Sequence, residues 1–259
     1  MRRLRHALEP LTLDAPTSAT SRRRVAAIIP VLNEAGAIGP TIAQIPRDLV
    51  DSVIVVDGGS TDDTVAQADA AGAEVIVEPR SGYGRACAIG VERALEAGAG
   101  ILLFMDGDGS DAADLSARLI EPIEAGLADF CIASRTRGAR EPGSLQAHQI
   151  LAGHLIGRAV GLICGVRYTD MCAFRAIRAD ALAALTMREM TYGWNLEMQM
   201  RAALAGLRIQ EIAMPYRRRI AGRSKVAGNL LGTFKASSRI IATLLRVSLQ
   251  ARSESGAAR

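Results

Sequence analysis

The sequence predicts an α/β fold with a mostly parallel central sheet flanked by helices, and three observations lead to this prediction. Short apolar runs alternate with stretches of helical periodicity through the first half of the chain. Several of these runs end in Asp, Asn, Gly or Ser, which are typical of the turn after a strand. The 259 residues, 49 % of them hydrophobic, suffice for one sizeable core. Strands and helices that alternate in this way form right-handed βαβ units.

The elements of the first half follow from this alternation, and Ser60 and Asp63 occupy capping-box positions before one helix. Beyond residue 130 the pattern is looser, with an arginine- and glycine-rich loop over 135–143. The predicted strands are 25–31, 52–56, 74–77, 101–105, 130–133 and 209–214, with a further short strand between 168 and 178. The first predicted helix ends near residue 44. The other predicted helices span 64–71, 84–97, 112–125, 145–165, 180–185, 194–205 and 226–250.

Three regions are expected along the chain: a disordered basic arm over 1–24, a main domain over 25–225, and an amphipathic helix with a tail over 226–259. On the last helix, one side carries apolar residues and another carries cations. This helix either packs its apolar side on the domain or lies on a membrane with its cations toward anionic lipid. The apolar residues are Leu230, Phe234, Ile241 and Leu245, and the cations are Lys235, Arg239 and Arg246.

Composition restricts the class of protein. The net charge is +4, and arginine is dense at the N-terminus and after residue 201, which suits contact with phosphate or an anionic membrane. Aromatic residues make up only 3 %, so we expect no nucleic-acid partner. The four cysteines lack the short paired spacing of zinc ligands and are expected to be buried, reduced thiols. We recognise no export signal or membrane span, and therefore expect a cytoplasmic protein.

Two carboxylates follow the strand predicted over 101–105. Asp106 and Asp108 are spaced i, i+2, so both can face the same side of that strand. Such a pair repels itself unless a cation lies between the two groups, and Mg²⁺ or Mn²⁺ held in this way usually completes its shell with water and substrate phosphates. Polar clusters at 30–34 and 57–60 end two other strands, and the three strand ends should lie side by side. The sequence therefore predicts a site for a metal and a diphosphate.

The order of these motifs resembles that of family 2 glycosyltransferases with the GT-A fold, and the nearest branch is the polyprenyl (dolichyl) phosphate mannosyl- and glucosyltransferases. The resemblance covers roughly 25–225 and makes this region the catalytic domain. It rests on Ile29-Pro30-Val31-Leu32-Asn33-Glu34, Val55-Val56-Asp57-Gly58-Gly59-Ser60-Thr61-Asp62, Gly82-Tyr83-Gly84-Arg85-Ala86, Met105-Asp106-Gly107-Asp108, Asp170-Met171-Cys172-Ala173-Phe174-Arg175, Glu197, Glu211-Ile212-Ala213-Met214-Pro215-Tyr216 and Gly222-Arg223-Ser224-Lys225.

The resemblance implies a role for each matching residue. Asp57 would bind the nucleoside, with Pro30, Asn33 and Glu34 lining the same pocket and Gly84 and Glu197 among the binding residues. Asp106 and Asp108 would meet the metal and the donor diphosphate, and Arg219 and Lys225 belong to a loop that closes over phosphates. The sequence departs from the pattern of this family at two places. It has Ser110-Asp111 where a Gln is frequent, and Cys172-Ala173 where a small Ser/Thr-Gly pair is typical.

The implied reaction is metal-dependent transfer of a hexose, with inversion, from a UDP- or GDP-linked sugar. The acceptor would be a polyprenyl phosphate or another lipid or glycan, and the enzyme would work at the inner face of the plasma membrane. For a hydroxyl acceptor, Asp170 is the candidate general base. For a phosphate acceptor, a cationic cradle is needed instead, formed by Arg135, Arg137, Arg175 and Arg219.

Other functions fit the residues less well. A haloacid dehalogenase-type phosphatase would carry its acid pair on the first strand, and an EF-hand loop requires Gly and Glu where Asp111 and Ala117 stand. A dinucleotide oxidoreductase requires a glycine-rich turn after the first strand. Two alternatives stay open: a sugar nucleotidyltransferase, and a catalytically idle protein that binds nucleotide sugars at a membrane.

Overall fold

The structure is a computed structural model, and it describes residues 22–80, 82–222 and 238–250, except for the side chain of His148. Most of the predicted N-terminal arm therefore lies outside the described residues, as do Lys225, Leu230, Phe234 and Lys235. No helix among the residues that are described has the length and apolar character needed to cross a bilayer.

The described chain alternates strands and helices as the sequence predicts. The strands are β1 (Val25–Val31), β2 (Ser52–Asp57), β3 (Glu74–Val77), β4 (Ile101–Phe104), β5 (Phe130–Ser134), β6 (Arg175–Arg178) and β7 (Ile209–Ala213). The helices are α1 (Ile38–Ala43), α2 (Thr64–Ala70), α3 (Tyr83–Glu96), α4 (Ala117–Glu124), α5 (Ala147–Cys164), α6 (Ala179–Ala184), α7 (Trp194–Leu204) and α8, which covers 238–250.

One predicted helix is divided in two. The helix expected over 112–125 consists of a 3₁₀ turn, Ala113–Leu115, followed by α4. The Ser116 hydroxyl, fully buried, donates a hydrogen bond of 2.6 Å to the carbonyl oxygen of Ala113 and so closes the 3₁₀ turn. A serine that bonds to the preceding backbone competes with regular helix geometry, which explains the division.

The seven strands form one sheet in the order β3-β2-β1-β4-β6-β5-β7. Strand β6 runs antiparallel to both of its neighbours, β4 and β5, while every other pair is parallel. The predicted mostly parallel sheet flanked by helices is therefore confirmed. Because β1, β2 and β4 are parallel neighbours, their carboxyl ends meet at one edge of the sheet.

The hydrophobic core lies on both faces of this sheet, because buried strand residues alternate between them. Along β1, Ala27 and Ile29 belong to one buried cluster, and Ala26 and Ile28 belong to the other. Helix α3 packs closely on the second face at Gly90, where an added Cβ would collide with the Ile28 side chain. All four cysteines are free thiols, and three of them are buried as expected, whereas Cys164 is half-buried.

Helix α8 packs on the domain with a different face from the one expected. Thr243 and Val247 are buried, and Arg246 turns inward to donate a 3.0 Å hydrogen bond to the Glu189 carboxylate. The apolar residues Ile241, Leu245 and Leu249 are 57 %, 58 % and 66 % exposed. The prediction that Ile241 and Leu245 pack on the domain is therefore wrong, and so is the prediction that Arg246 is one of the cations that face lipid.

Candidate active site

The polar ends of β1, β2 and β4 lie side by side. In the β1–β2 ladder Val31 is opposite Asp57, and in the β1–β4 ladder Ile28 is opposite Phe104. The chain leaves these strands at Leu32, Gly58 and Met105, so the three predicted polar clusters reach the same edge of the sheet. This arrangement brings together most of the site residues expected from the sequence, including Pro30, which lies near the end of β1.

The turns after β1 and β2 bond to each other. Asn33 adopts the left-handed conformation at φ 49°, which lets its backbone N–H donate to the Ser60 hydroxyl at 2.7 Å. The Asn33 side-chain oxygen accepts from the backbone N–H of Thr61 at 2.8 Å. Asp57 is buried, and its carboxylate accepts from the backbone N–H groups of Gly59 and Ser60 at 2.9 and 2.8 Å. These bonds fix a polar rim around Asp57.

A tight turn after β4 contains three carboxylates. Asp108 is buried, and its Oδ1 accepts from the backbone N–H and the hydroxyl of Ser110 at 2.8 and 2.6 Å. Asp111 is also buried, and its Oδ2 accepts from the backbone N–H of Asp106 at 3.0 Å. Asp111 thus stabilises the turn from within, at a position where the sequence departs from the pattern of the family that it resembles.

Burial and mutual repulsion raise the pKa values of Asp106 and Asp111. Burial, and then the charges of Asp111 and Asp108, hold the pKa of Asp106 well above its usual range. Burial likewise raises the pKa of Asp111 to about 6, against the hydrogen bond from the Asp106 backbone. Excess negative charge at this turn is therefore costly unless a cation reaches it.

The residues present fit a divalent cation that takes some of its ligands from the protein and the others from a substrate. Asp106 is half-buried, and its carboxylate accepts no hydrogen bond from any described residue. Within the described part of the chain, no group of three or more His, Cys, Asp and Glu side chains is arranged to hold a metal by itself. Mg²⁺ commonly binds one or two carboxylates and completes its shell with water and phosphate oxygens, which this arrangement would require.

The segment 216–220 crosses the acid turn. The backbone N–H of Arg217 donates to the Ser110 carbonyl at 3.0 Å, and that of Ile220 donates to the Asp108 carbonyl at 2.9 Å. Between these two anchors, Arg219 donates from Nη1 to Asp108 and from Nη2 to both oxygens of Glu34, at 2.7 and 2.9 Å. Arg219 thus joins the end of β1 to the end of β4. Its predicted neighbour Lys225 lies outside the described residues.

A second arginine approaches the same turn from β5. Arg135 donates from Nε and Nη2 to the two oxygens of Asp170, at 2.8 and 2.7 Å, and its guanidinium lies 5.0 Å from the centre of the Tyr216 ring. Its charge lowers the pKa of Asp106, as does that of Arg219. The charges of Arg135 and Arg219 therefore both oppose the rise in the pKa of Asp106 that burial causes. Arg137, further along the loop, donates to the Glu211 carbonyl at 2.9 Å and is more exposed.

The environment of Asp170 does not suit a general base. Burial alone would raise its pKa, but hydrogen bonds from Arg135 and the charge of Arg135 outweigh burial and lower the pKa. Its two oxygens accept four N–H groups, from the backbone and side chain of Arg135 and from the backbone of Met171. A base needs a free lone pair and a pKa near the working pH. These contacts argue against the prediction that Asp170 takes the acceptor proton, and they indicate that Asp170 positions Arg135.

Two residues that support this pair were quoted in the sequence motifs without a role. Glu211 on β7 accepts from the backbone N–H groups of Thr169 and Asp170 at 2.8 and 3.2 Å, which fixes the loop that carries Asp170. Tyr216 forms isolated bridges to Asp111 and to Arg140. Their contacts join segments far apart in sequence, so no local pattern indicated these roles.

Three predicted binding residues are buried and make structural contacts. Arg175 is completely buried and donates to the Cys172 and Asn195 carbonyls at 3.0 Å, because the start of β6 passes through the core. Burial lowers its pKa. The prediction that Arg175 belongs to a phosphate cradle is therefore wrong.

Gly84 and Glu197 have structural roles in place of the binding roles expected. An added Cβ at Gly84 would lie 2.5 Å from the Glu189 carbonyl oxygen, so this glycine permits contact between α3 and the loop before α7. Glu197 is fully buried and accepts from the backbone N–H groups of Arg188 and Glu189 at 2.9 and 2.6 Å. It therefore orients that loop and does not face the site.

Comparisons with known proteins point to one family. The family model described as "Glycosyl transferase family 2" matches residues 26–185. The chain is 35 % identical over 215 residues to an uncharacterised glycosyltransferase of Mycobacterium tuberculosis, covering 82 % of this chain and 94 % of that protein. It is also 35 % identical over 225 residues to the undecaprenyl-phosphate mannosyltransferase of Micrococcus luteus, covering 81 % and 90 %.

A solved structure supports the same relationship. The glucosyl-3-phosphoglycerate synthase of Mycobacterium tuberculosis, crystallised with Mn²⁺ and uridine-diphosphate-glucose, superposes with a TM-score of 0.62 at 26 % identity. The match covers 87 % of this chain and 79 % of that one. The likeness thus extends over nearly all of the described α/β domain.

Proposed function

Since this chain belongs to glycosyl transferase family 2 and has the GT-A type of α/β fold, we propose that it transfers a hexose from a UDP- or GDP-linked sugar to a polyprenyl phosphate, with the aid of Mg²⁺ or Mn²⁺. The observation that carries the proposal is the ion pair of Asp108 with Arg219 where β4 ends, with Asp106 on the same turn and with Arg135 over the ring of Tyr216, which bridges to Asp111. Carboxylates and cations that converge in this way suit a metal-bound diphosphate and a second anion.

The relatives support both substrates. One is named an undecaprenyl-phosphate mannosyltransferase, and the solved synthase was crystallised with Mn²⁺ and uridine-diphosphate-glucose. Neither name fixes the base or the sugar for this chain. They support a nucleotide-sugar donor and a divalent ion, and they make a lipid phosphate a natural acceptor to test.

On the donor side, Asp57, Asn33, Glu34 and Pro30 would surround the nucleoside at the ends of β1 and β2. Asp106 and Asp108 would hold the metal, whose contribution when bound is to stabilise charge on the leaving diphosphate. Arg219 would donate to that diphosphate, and Lys225 is proposed to do the same.

On the acceptor side, the structure favours an anion over a hydroxyl. Asp170, the candidate base, is bonded to Arg135 and has a lowered pKa. A phosphate oxygen is already deprotonated and needs cations rather than a base. Arg135, with Arg137 beside it, would orient that oxygen toward the anomeric carbon. The new carbon–oxygen bond then forms as the bond to the donor diphosphate breaks, and attack from the opposite face inverts the anomeric configuration.

Contact with a membrane is part of this proposal. Ile241, Leu245 and Leu249 lie along the exposed face of α8, with the cation Arg239 near them in sequence. An exposed apolar stripe with nearby positive charge suits an anionic membrane surface, here the inner face of the plasma membrane. Co-sedimentation with anionic vesicles that falls when the three residues become Ser would support this contact, and unchanged co-sedimentation would contradict it.

The central test measures transfer of labelled sugar to polyprenyl phosphate, after thermal shift with UDP and GDP has identified the base. We expect Asp108→Asn to abolish transfer and to leave the protein folded, whereas Asp114→Asn, a change at an exposed acid nearby, should retain it. Asp57→Ala should weaken binding of the free nucleotide in calorimetry. Normal transfer by a folded Asp108→Asn variant would refute the proposed site, as would nucleotidyl transfer in place of sugar transfer.

A further inference from the structure

We propose that Arg219 is an internal counter-cation, which occupies Asp108 in the ligand-free enzyme and moves to the donor diphosphate when metal and nucleotide bind. This inference rests on the proposed function, since it assumes a metal–nucleotide complex at the end of β4. Beyond a contact with phosphate, Arg219 would compete with the metal for the carboxylate of Asp108.

The first argument concerns the oxygens of Asp108. Oδ1 accepts two hydrogen bonds from Ser110, and Oδ2 accepts from Arg219 Nη1. Neither oxygen is thus without a protein donor. A metal that binds Oδ2 meets the positive charge of the adjacent guanidinium, so its binding favours release of Arg219, whereas Ser110 can continue to orient Oδ1.

The second argument concerns Arg219 itself. Its Nη2 bonds to both oxygens of Glu34, but its Nε is buried and has no hydrogen-bond partner among the described residues. An arginine fork presents its donors most favourably to two oxygens of one anion. Here the fork is divided between two carboxylates from different strands, and one donor remains unused. A diphosphate would offer more acceptors to the same side chain.

The third argument is that the exchange needs little movement of the backbone. Arg217 and Ile220 anchor the segment to the acid turn through their N–H groups, at 3.0 and 2.9 Å. Ile220 also covers Gly109, where an added Cβ would collide with the isoleucine side chain. The Arg219 side chain is 28 % exposed, so it can rotate while its Cα stays in place.

A consequence follows for the affinities. In the absence of nucleotide, Arg219 competes with the metal and weakens its binding. When a nucleoside diphosphate is present, Arg219 has a new partner and strengthens binding of the nucleotide. The two ligands are then coupled, and by thermodynamic linkage each raises the affinity of the other by the same factor.

The test measures Mn²⁺ binding to the full-length protein by electron paramagnetic resonance of free Mn²⁺, with and without the nucleoside diphosphate that the wild type binds. We expect Arg219→Gln to tighten Mn²⁺ binding without nucleotide by about two- to fivefold, the range of a partly exposed ion pair. The same change should weaken nucleotide binding in the presence of Mn²⁺. Arg217→Gln is the matched control, because Arg217 carries the same charge on the same segment but bonds to Gln44 and Asp114.

Opposite shifts of the two affinities in Arg219→Gln, with neither shift in Arg217→Gln, would support the exchange. Mn²⁺ affinity without nucleotide that is unchanged or lower in a folded Arg219→Gln variant would overturn it, as would equal tightening in Arg217→Gln. Arg219→Lys, which keeps the charge, should fall between wild type and Arg219→Gln. Failure of the proposed function looks different, since the wild type itself would then show no coupled binding of Mn²⁺ and nucleotide.

Discussion

Replacement of Asp170 by Asn tests whether this residue positions Arg135 or acts as a base. The carboxylate is buried and accepts four N–H groups at 2.7 to 2.9 Å. An amide keeps one oxygen, so in either orientation two donors lose their acceptor. If Nδ2 replaces Oδ2, the backbone N–H and the Nε–H of Arg135 lose their acceptor. If the amide is flipped, Arg135 Nη2 and the backbone N–H of Met171 lose theirs.

The magnitude follows from these contacts. A hydrogen bond to a charged group contributes at least about 1.5 kcal/mol, so two lost bonds should lower the free energy of unfolding by about 3 kcal/mol. For a domain of this size, that loss corresponds to a fall of about 6 to 12 °C in melting temperature. Asp180→Asn is a suitable control, because the Asp180 carboxylate also pairs with an arginine but is 71 % exposed. That control should change stability by about 0.5 kcal/mol or less.

The pH dependence gives a second readout. Because the pKa of Asp170 is lower in the folded state than its ordinary value of 3.8, its stabilisation is complete above that value and is lost as pH falls through the lowered pKa. The difference between wild type and Asp170→Asn should therefore be constant near neutrality and shrink in acid, as urea titrations at several pH values would show. In kinetics, the variant should raise the KM for substrate, and the pH profile of kcat near neutrality should keep its shape. A variant with normal melting temperature, low kcat and an altered pH profile would refute the positioning role.

Further predictions concern the turn, the sheet and α8. Gly109→Ala should destabilise the protein by about 1–3 kcal/mol and lower activity, because φ is +76° and Ile220 covers the position; equal melting temperatures would contradict this. Asp129→Asn should cost about 1–3 kcal/mol at neutral pH, since the carboxylate accepts from two arginines. Arg208 lowers its pKa below 3.8, so urea titrations should show this deficit shrinking in acid. Val247→Ala should cost about 2 kcal/mol in chemical unfolding, against about 0.5 or less for exposed Leu245→Ala, and the reverse order would overturn the assigned face of α8.

Much of the fold was predictable because its signals are local. The bounds of β1 and β3 agree with prediction at every residue, and those of β2 and β4 differ by one. Apolar runs that end in turn residues fix where each strand ends, and parallel neighbours then place those ends at one edge. The meeting of Asn33, Asp57 and Asp108 follows from the same rule. The sequence did not predict that the helix expected over 112–125 is divided into a 3₁₀ turn and α4, because this division depends on a single serine hydroxyl.

The sequence by itself thus determined the fold class, the family and the strand ends that carry the acids. These depend on periodicity and on motif order, both of which can be read along the chain.

Only the tertiary structure decided which charges meet. Arg219 pairs with Glu34 across 185 positions and Arg135 with Asp170 across 35, while the neighbouring motif residue Arg175 is buried in the core. The same is true of α8, where Arg246 faces inward and Leu245 faces outward. The physical reason is that the sheet brings segments together that are far apart in sequence, and this determines the partner of each charge. The residues adjacent to a charge in the sequence do not indicate which distant segment will lie beside it.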